Sequence, residues 1–314
     1  APFWRGIHNV LVNLREPLVF ANDLAQGREC AAGASLRRFM VNSTLGLPFV
    51  RKATDIKIDD IDAMIARSPE FLLREIPRKP ELLTMTVDVQ GDGFWWTIRA
   101  WGICFDQPGL PVWSATIDYG AAVSWKQIEE IAGLEPDHKG HVNHYTFGGE
   151  KFSVFAGLID SGYEAQSNKK VYAFTLKHAD VFSPSKGGGW QQLRGMDVRT
   201  SPVNDDQQDL VWYYDDGFKQ SWYYNCIKEH TTLRWLPRNI GADYKAQLTA
   251  ERLVTRYIKG HAKLEWVKPA GRRNEPLDGA VYALAAAHYR GIDRWKEGEW
   301  HRWEMRVQSP DLFE

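Results

Sequence analysis

The sequence predicts an α/β protein built on a mixed sheet with flanking helices. Three consecutive strand-like runs joined by tight turn signals read as an antiparallel meander, and short strand-like runs alternating with helix-like stretches follow it. The chain has 314 residues with 44% hydrophobic content, enough for a large core and one or two domains.

Residues 1–78 do not read as a compact domain. Leu18 to Met40 has partial helical periodicity broken by Gly27 and Gly33, and Gly46-Leu47-Pro48 stops it. Asp55 to Arg67 is a short helical candidate with Ile61, Met64 and Ile65 on one side. Pro77-Arg78-Lys79-Pro80 reads as a linker, because each proline biases its predecessor away from helix. This region is expected to be an N-terminal arm or connector packing on a second domain over 79–314.

The meander comes next. Leu82 to Val89 is followed by the turn Gly91-Asp92-Gly93, then by the aromatic-rich run Phe94 to Phe105. Gln107-Pro108-Gly109 turns the chain into Val112 to Tyr119. Trp125 to Ala132 reads as helix, His138 to Glu150 as polar loop, and Phe152 to Ile159 as a buried strand. A helical stretch leads to a strand candidate at Lys170–Phe174, and Lys186 to Trp190 reads as a flexible glycine loop. Leu210 to Tyr214 is a strand, Asp216 to Ile227 a helix, Leu248 to Tyr257 a helix and Ala262 to Val267 a strand. A helix from Pro276 to Tyr289 closes the set.

Composition excludes several classes. With 39 basic and 40 acidic residues the formal net charge is -1, so any nucleic-acid binding must come from a local patch. Cys30, Cys104 and Cys226 are too few and scattered for a disulfide framework, which fits a reducing compartment. No stretch approaches the ~18 consecutive apolar residues of a membrane span. The start, Ala1-Pro2-Phe3-Trp4-Arg5, lacks a signal-peptide layout and an initiator methionine. The chain is therefore expected to be a soluble, intracellular fragment of something longer. The 14 tryptophans show no period and read as core and interface filling.

Three aspartates carry the candidate chemistry. Asp88 follows Leu82–Val87, Asp160 closes the run Phe152–Ile159, and Asp278 precedes the helical run Val281–Tyr289. Carboxylates on neighbouring strands and one packing helix can converge on a pair of divalent cations, and such a site can cut phosphodiesters. Each also has an ordinary structural use. Asp88 and Asp160 adjoin turn sequences, and an acid in a first helical turn complements the helix dipole. Asp160 falls where ligands of α/β sheets bind, beyond a strand's carboxyl end. Glu275, three residues before Asp278, is its nearest rival for a metal.

Hard carboxylate oxygens suit Mg²⁺ or Mn²⁺, whereas zinc prefers Cys and His. His141 with His144, and Cys226 with His230, each lack the second half of a zinc site. Between 252 and 273 lie Arg252, Arg256, Lys259, Lys263, Lys268, Arg272 and Arg273 against the single acid Glu265. Most read as a solvated face; the sharper reading is a phosphate-contacting strip near Asp278, with Lys186 acting likewise. There is no Walker A loop, hence no evident ATP site, and no nucleophile elbow.

These segments resemble a known family. Leu83 to Gln90, Arg99-Ala100-Trp101-Gly102 and Trp113 to Tyr119 are similar to the start of the nuclease domain of the large terminase subunit of lambda-like tailed phages. Ile159 to Tyr163, with Val171-Tyr172, resembles the segment carrying that family's second acid. Gln247 to Glu251, Leu264-Glu265-Trp266 and above all Arg273 to Asp278, running on through Tyr282–Ala286, resemble its C-terminal part. Phe39 to Gly46 resembles the connector leaving the packaging motor's ATPase.

The resemblance implies an RNase H-like nuclease domain that cuts concatemeric viral DNA during packaging, with the ATPase lying outside this chain. It implies Asp88, Asp160 and Asp278 as ligands of two divalent cations, Mg²⁺ or Mn²⁺, with Asp88 bridging, and it matches Lys186-Gly187 to a lysine-glycine pair after the second acid. Lys186, Arg272 and Arg273 are the expected DNA contacts. Double-stranded DNA, the terminase small subunit and the portal are the implied partners, in the host cytoplasm and with no membrane. Two other readings stay open: another RNase H-like nuclease such as a junction resolvase or transposase, and a non-catalytic DNA-binding assembly module.

Overall fold

The structure is a computed structural model and describes residues 56–104, 112–162, 165–189, 191–203, 205, 207–228, 233–258 and 261–294, together with Ala21 and Ala25, which are helical. The helical candidate over 18–40 otherwise lies outside the described residues. The chain divides into units 1–54 and 55–314, and every element below belongs to the second.

Helix α1 (Ile58–Arg67) buries the predicted Ile61, Met64 and Ile65. The meander follows as β1 (Leu82–Gln90), β2 (Gly93–Ile103) and β3 (Val112–Ala122), all antiparallel. Helix α2 (Trp125–Ala132) starts at Ser124, whose hydroxyl accepts from the Gln127 N–H, and ends on left-handed Gly133. A small hairpin, β4 (Tyr145–Phe147) and β5 (Glu150–Phe152), interrupts the stretch read as loop and takes Phe152 from the next strand. Then come β6 (Val154–Asp160), α3 (Ala165–Lys177), β7 (Phe182–Gly188), β8 (Val198–Val203) and β9 (Gln208–Tyr214). Helix α4 (Asp215–Gln220) runs into a π-helix (Ser221–Lys228). After β10 (Leu233–Trp235) and α5 (Ala242–Leu248), the hairpin β11 (Arg252–Ile258) and β12 (His261–Val267) leads to α6 (Glu275–Arg290).

Eight strands form one sheet in the order β10-β3-β2-β1-β6-β7-β9-β8. Strands β1, β6, β7 and β9 are mutually parallel, so a meander is extended by parallel strands beside its first strand. Helices cover both faces. Leu83, Met85 and Val87 of β1 share a core with Ile128 of α2 and with Val171 and Phe174 of α3. On the other face Leu82 and Trp101 share a core with α1, the π-helix, α5 and α6. This mixed sheet is the RNase H-like architecture that the resemblance implies.

Three expectations are corrected. Residues 170–174 are helix, not strand: buried Val171, Phe174, Thr175 and His178 follow the helical spacing, which outweighs their β-branched and aromatic character. The glycine loop at 186 is the end of β7, with extended glycines that let neighbours approach. A Cβ at Gly187 would stand 3.1 Å from the Tyr213 hydroxyl. The helix expected from 248 to 257 is the end of α5 followed by β11, whose Val254, Thr255, Tyr257 and Ile258 suit a pleated ladder.

Candidate active site

Side-chain alternation on β1 decides where Asp88 points. Leu83, Met85, Val87 and Val89 fill the core under α2 and α3, so Thr84, Thr86 and Asp88 face the opposite side, where α6 lies. The Thr86 hydroxyl donates to the Gly279 carbonyl of α6 at 3.2 Å. Val87 pairs in parallel with Ile159, so the next residues, Asp88 and Asp160, stand at neighbouring strand ends. Asp160 in turn pairs with Ser185 of β7.

Helix α6 begins at Glu275 with Asn274 as its N-cap, and the Asp278 N–H donates to the Asn274 carbonyl at 3.0 Å. Gly279 allows the close approach to the sheet: a Cβ there would fall 2.6 Å from Thr97 Oγ1. The helix therefore lowers its first turn, with Asp278, onto the carboxyl ends of the parallel strands.

A cleft of about 840 Å³ opens there, and Asp88, Asp160 and Asp278 all line it. So do Asp215, Asp216, Glu251 and Glu275, against three lysines, Lys186, Lys219 and Lys268. Crowded carboxylates hold protons more tightly. Burial, then the charges of Asp160 and Glu275, push Asp88 up to about 7, despite a hydrogen bond from the Gln90 amide. Burial raises Asp160 to about 6, against the Gly162 N–H at 3.1 Å and the nearby Lys186. Burial also raises Asp278 well above the carboxylate range; Lys219 opposes this, while Asp88, Glu251 and Asp215 add to it.

These donors fit hard divalent cations. The excess of acids over lysines leaves negative charge to be met, and buried Glu275 Oε2 has no hydrogen-bond partner among the described residues. Among the described residues, no three Asp, Glu, His or Cys side chains already stand together as a ready metal cage. In their present positions, Asp88 is occupied by Gln90, and Asp215 and Glu251 are occupied by Lys219.

Of the expected DNA contacts, Lys186 lines the cleft, although the pleat puts it opposite Ser185; its ammonium lies 5.8 Å from the Trp212 ring centre. Arg272 and Arg273 are exposed just before α6, and Arg273 Nε donates to Glu275 Oε1 at 3.0 Å. Lys268 lines the cleft and donates to Asn274 Oδ1 at 2.8 Å. The side chains of Arg256, Lys259 and Lys263 lie outside the described residues. Asp215 was missed although it follows the apolar run Leu210–Tyr214 as Asp88 follows its own. Glu251 was hidden inside the helix wrongly expected there.

A family model for the terminase large subunit gpA endonuclease domain matches residues 23–300. No curated protein and no solved structure gives a significant match. No helix among the described residues is long and apolar enough to cross a membrane. With most of its length matched, the chain belongs to the terminase large subunit gpA endonuclease-domain family, whose nuclease serves phage DNA packaging.

Proposed function

We propose that this chain is a metal-dependent DNA endonuclease that cuts concatemeric viral DNA during genome packaging, in the host cytoplasm. The single observation that carries the reading is the shared cleft: acids from β1, β6 and α6, far apart in sequence, line one cavity at the ends of parallel strands. Asp88, Asp160 and Asp278 would hold two divalent ions, Mg²⁺ or Mn²⁺. Such ions, when bound, activate a water and stabilise the leaving oxygen of an in-line displacement. Gln90 orients the Asp88 carboxylate, and the Asn274 cap with the close contact at Gly279 sets the height of Asp278. Lys186, Arg272 and Arg273 contact backbone phosphates of double-stranded DNA. Residues 1–78 serve as the connector from an ATPase domain, through which the small subunit and portal direct the cutting.

The test is nicking of supercoiled plasmid with Mn²⁺ as the added ion. Asp88→Asn and Asp278→Asn are expected to lose at least about a hundredfold in rate while keeping the circular dichroism of the wild type. Full activity in either variant would remove that residue from the site. A strong preference for branched DNA, or strand transfer, would instead favour a resolvase or transposase activity.

A further inference from the structure

Lys219 is an unusual lysine. It projects from α4 one turn after Asp215, and only 8% of it is exposed. Its Nζ lies 2.9 Å from Asp215 Oδ2 and 3.0 Å from Glu251 Oε2. Glu251, itself buried, also accepts from Asn274 Nδ2 at 2.9 Å, and Asn274 caps the helix that carries Asp278. Burial would lower the Lys219 affinity for its proton, but Asp215, Glu251 and Asp278 raise it overall. The Lys219 ammonium is also the main charge opposing the rise at Asp278. A buried ion pair of this kind is a poor stability device, because desolvation cancels most of the attraction. Its position among the cleft acids gives it another use.

We propose that Lys219 is a built-in counter-cation of the cleft, which holds the carboxylates on the Asp278 side together and competes with divalent ions for them. The inference rests on the metal-dependent reading of the same cleft. With its ammonium within 3.0 Å of carboxylates from two different segments, Lys219 occupies the place between them that a divalent ion would otherwise take. Competition is reciprocal: an ion that weakens the hold on Lys219 is itself weakened by Lys219. Removing the ammonium should therefore tighten divalent binding, whereas loss of a residue needed only to position Asp278 would weaken it.

The experiment is Mn²⁺ titration calorimetry on the wild type, Lys219→Met, Lys219→Arg and Asp88→Asn at one pH and ionic strength. Lys219→Met is expected to bind at least one Mn²⁺ about tenfold more tightly than the wild type, and Lys219→Arg to stay within about twofold of it. In EDTA, Lys219→Met should melt at a lower temperature than the wild type, with the loss recovered in Mn²⁺. Unchanged or weaker Mn²⁺ binding by Lys219→Met overturns the inference. If the wild type binds Mn²⁺, and loses it in Asp88→Asn, the metal-dependent reading survives that result. Absence of carboxylate-dependent Mn²⁺ binding in every variant overturns both. Should Lys219→Met fail to fold, the wild type still decides: its Lys219 ¹⁵Nζ resonance, identified by its loss in Lys219→Arg, must move during Mg²⁺ titration. A resonance that stays fixed while Mg²⁺ binds overturns the inference.

Discussion

Asp88 is 5% exposed and held beside other carboxylates, so its charged form is expensive in the folded protein. In an unfolded chain an aspartate ionises near 3.8, whereas in the fold Asp88 keeps its proton up to about 7. Between those values the native state binds more protons than the unfolded state, so metal-free stability falls as pH rises through that window. Asp160, raised to about 6, acts in the same direction. The expected outcome in EDTA is a wild-type unfolding free energy that declines from about pH 4 to pH 7. Asp88→Asn should flatten the decline by on the order of a few kcal/mol. Urea denaturation at several pH values measures it; parallel wild-type and variant curves would reject the assignment. Added Mn²⁺ should reverse the wild-type trend, since an ion binding the deprotonated carboxylates favours the native state more as pH rises.

At the scale of elements, the contact between α6 and the sheet decides whether Asp278 reaches the cleft. Gly279 meets Thr97, whose buried hydroxyl lacks a hydrogen-bond partner among the described residues, and a methyl group at 279 must push the helix or the threonine aside. Gly279→Ala is expected to destabilise the protein by about 1–3 kcal/mol and to reduce Mn²⁺-dependent nicking more than the stability loss explains. Urea unfolding and plasmid nicking of the same preparation separate the two effects. The meander, α2 and α6 were legible because turn dipeptides, caps and long periodic runs fixed them. Segments 170–174 and 252–258 were not, since β-branched and aromatic residues populate both strands and buried helix faces. Only spacing across the whole element distinguishes them. The glycines of β7 misled for a related reason: they mark close packing against Tyr213 and Trp212 rather than a loop.

Over the whole molecule, a near-neutral chain gathers acidic side chains in this cleft, so on the proposed reading DNA is drawn in by basic side chains around its rim. Arg272 is exposed beside the first turn of α6. Arg272→Ala is expected to weaken DNA binding uniformly across sequences and to reduce the salt slope of log K by about 1. Binding measured between low and moderate salt checks this, and an unchanged slope would mean that Arg272 contacts no phosphate. Asp88, Asp160 and Asp278 could be picked out from local sequence because each stands within three residues of an element boundary. Three of their neighbours in the cleft could not. Lys219, Glu251 and Asn274 meet only through tertiary packing, and no spacing rule links positions 219, 251 and 274.

The order in which the cleft's walls appear along the chain has a consequence for synthesis. Asp88 and Asp160 belong to the first half of the sheet, whereas Asp278 arrives on α6, the last long helix described. A ribosome that has translated through β9 has already made most of the parallel strands, but the helix that completes the cleft is still unmade. On the proposed reading, a nascent chain that stops short of α6 cannot cut the DNA around it, and cutting competence is acquired only once α6 docks.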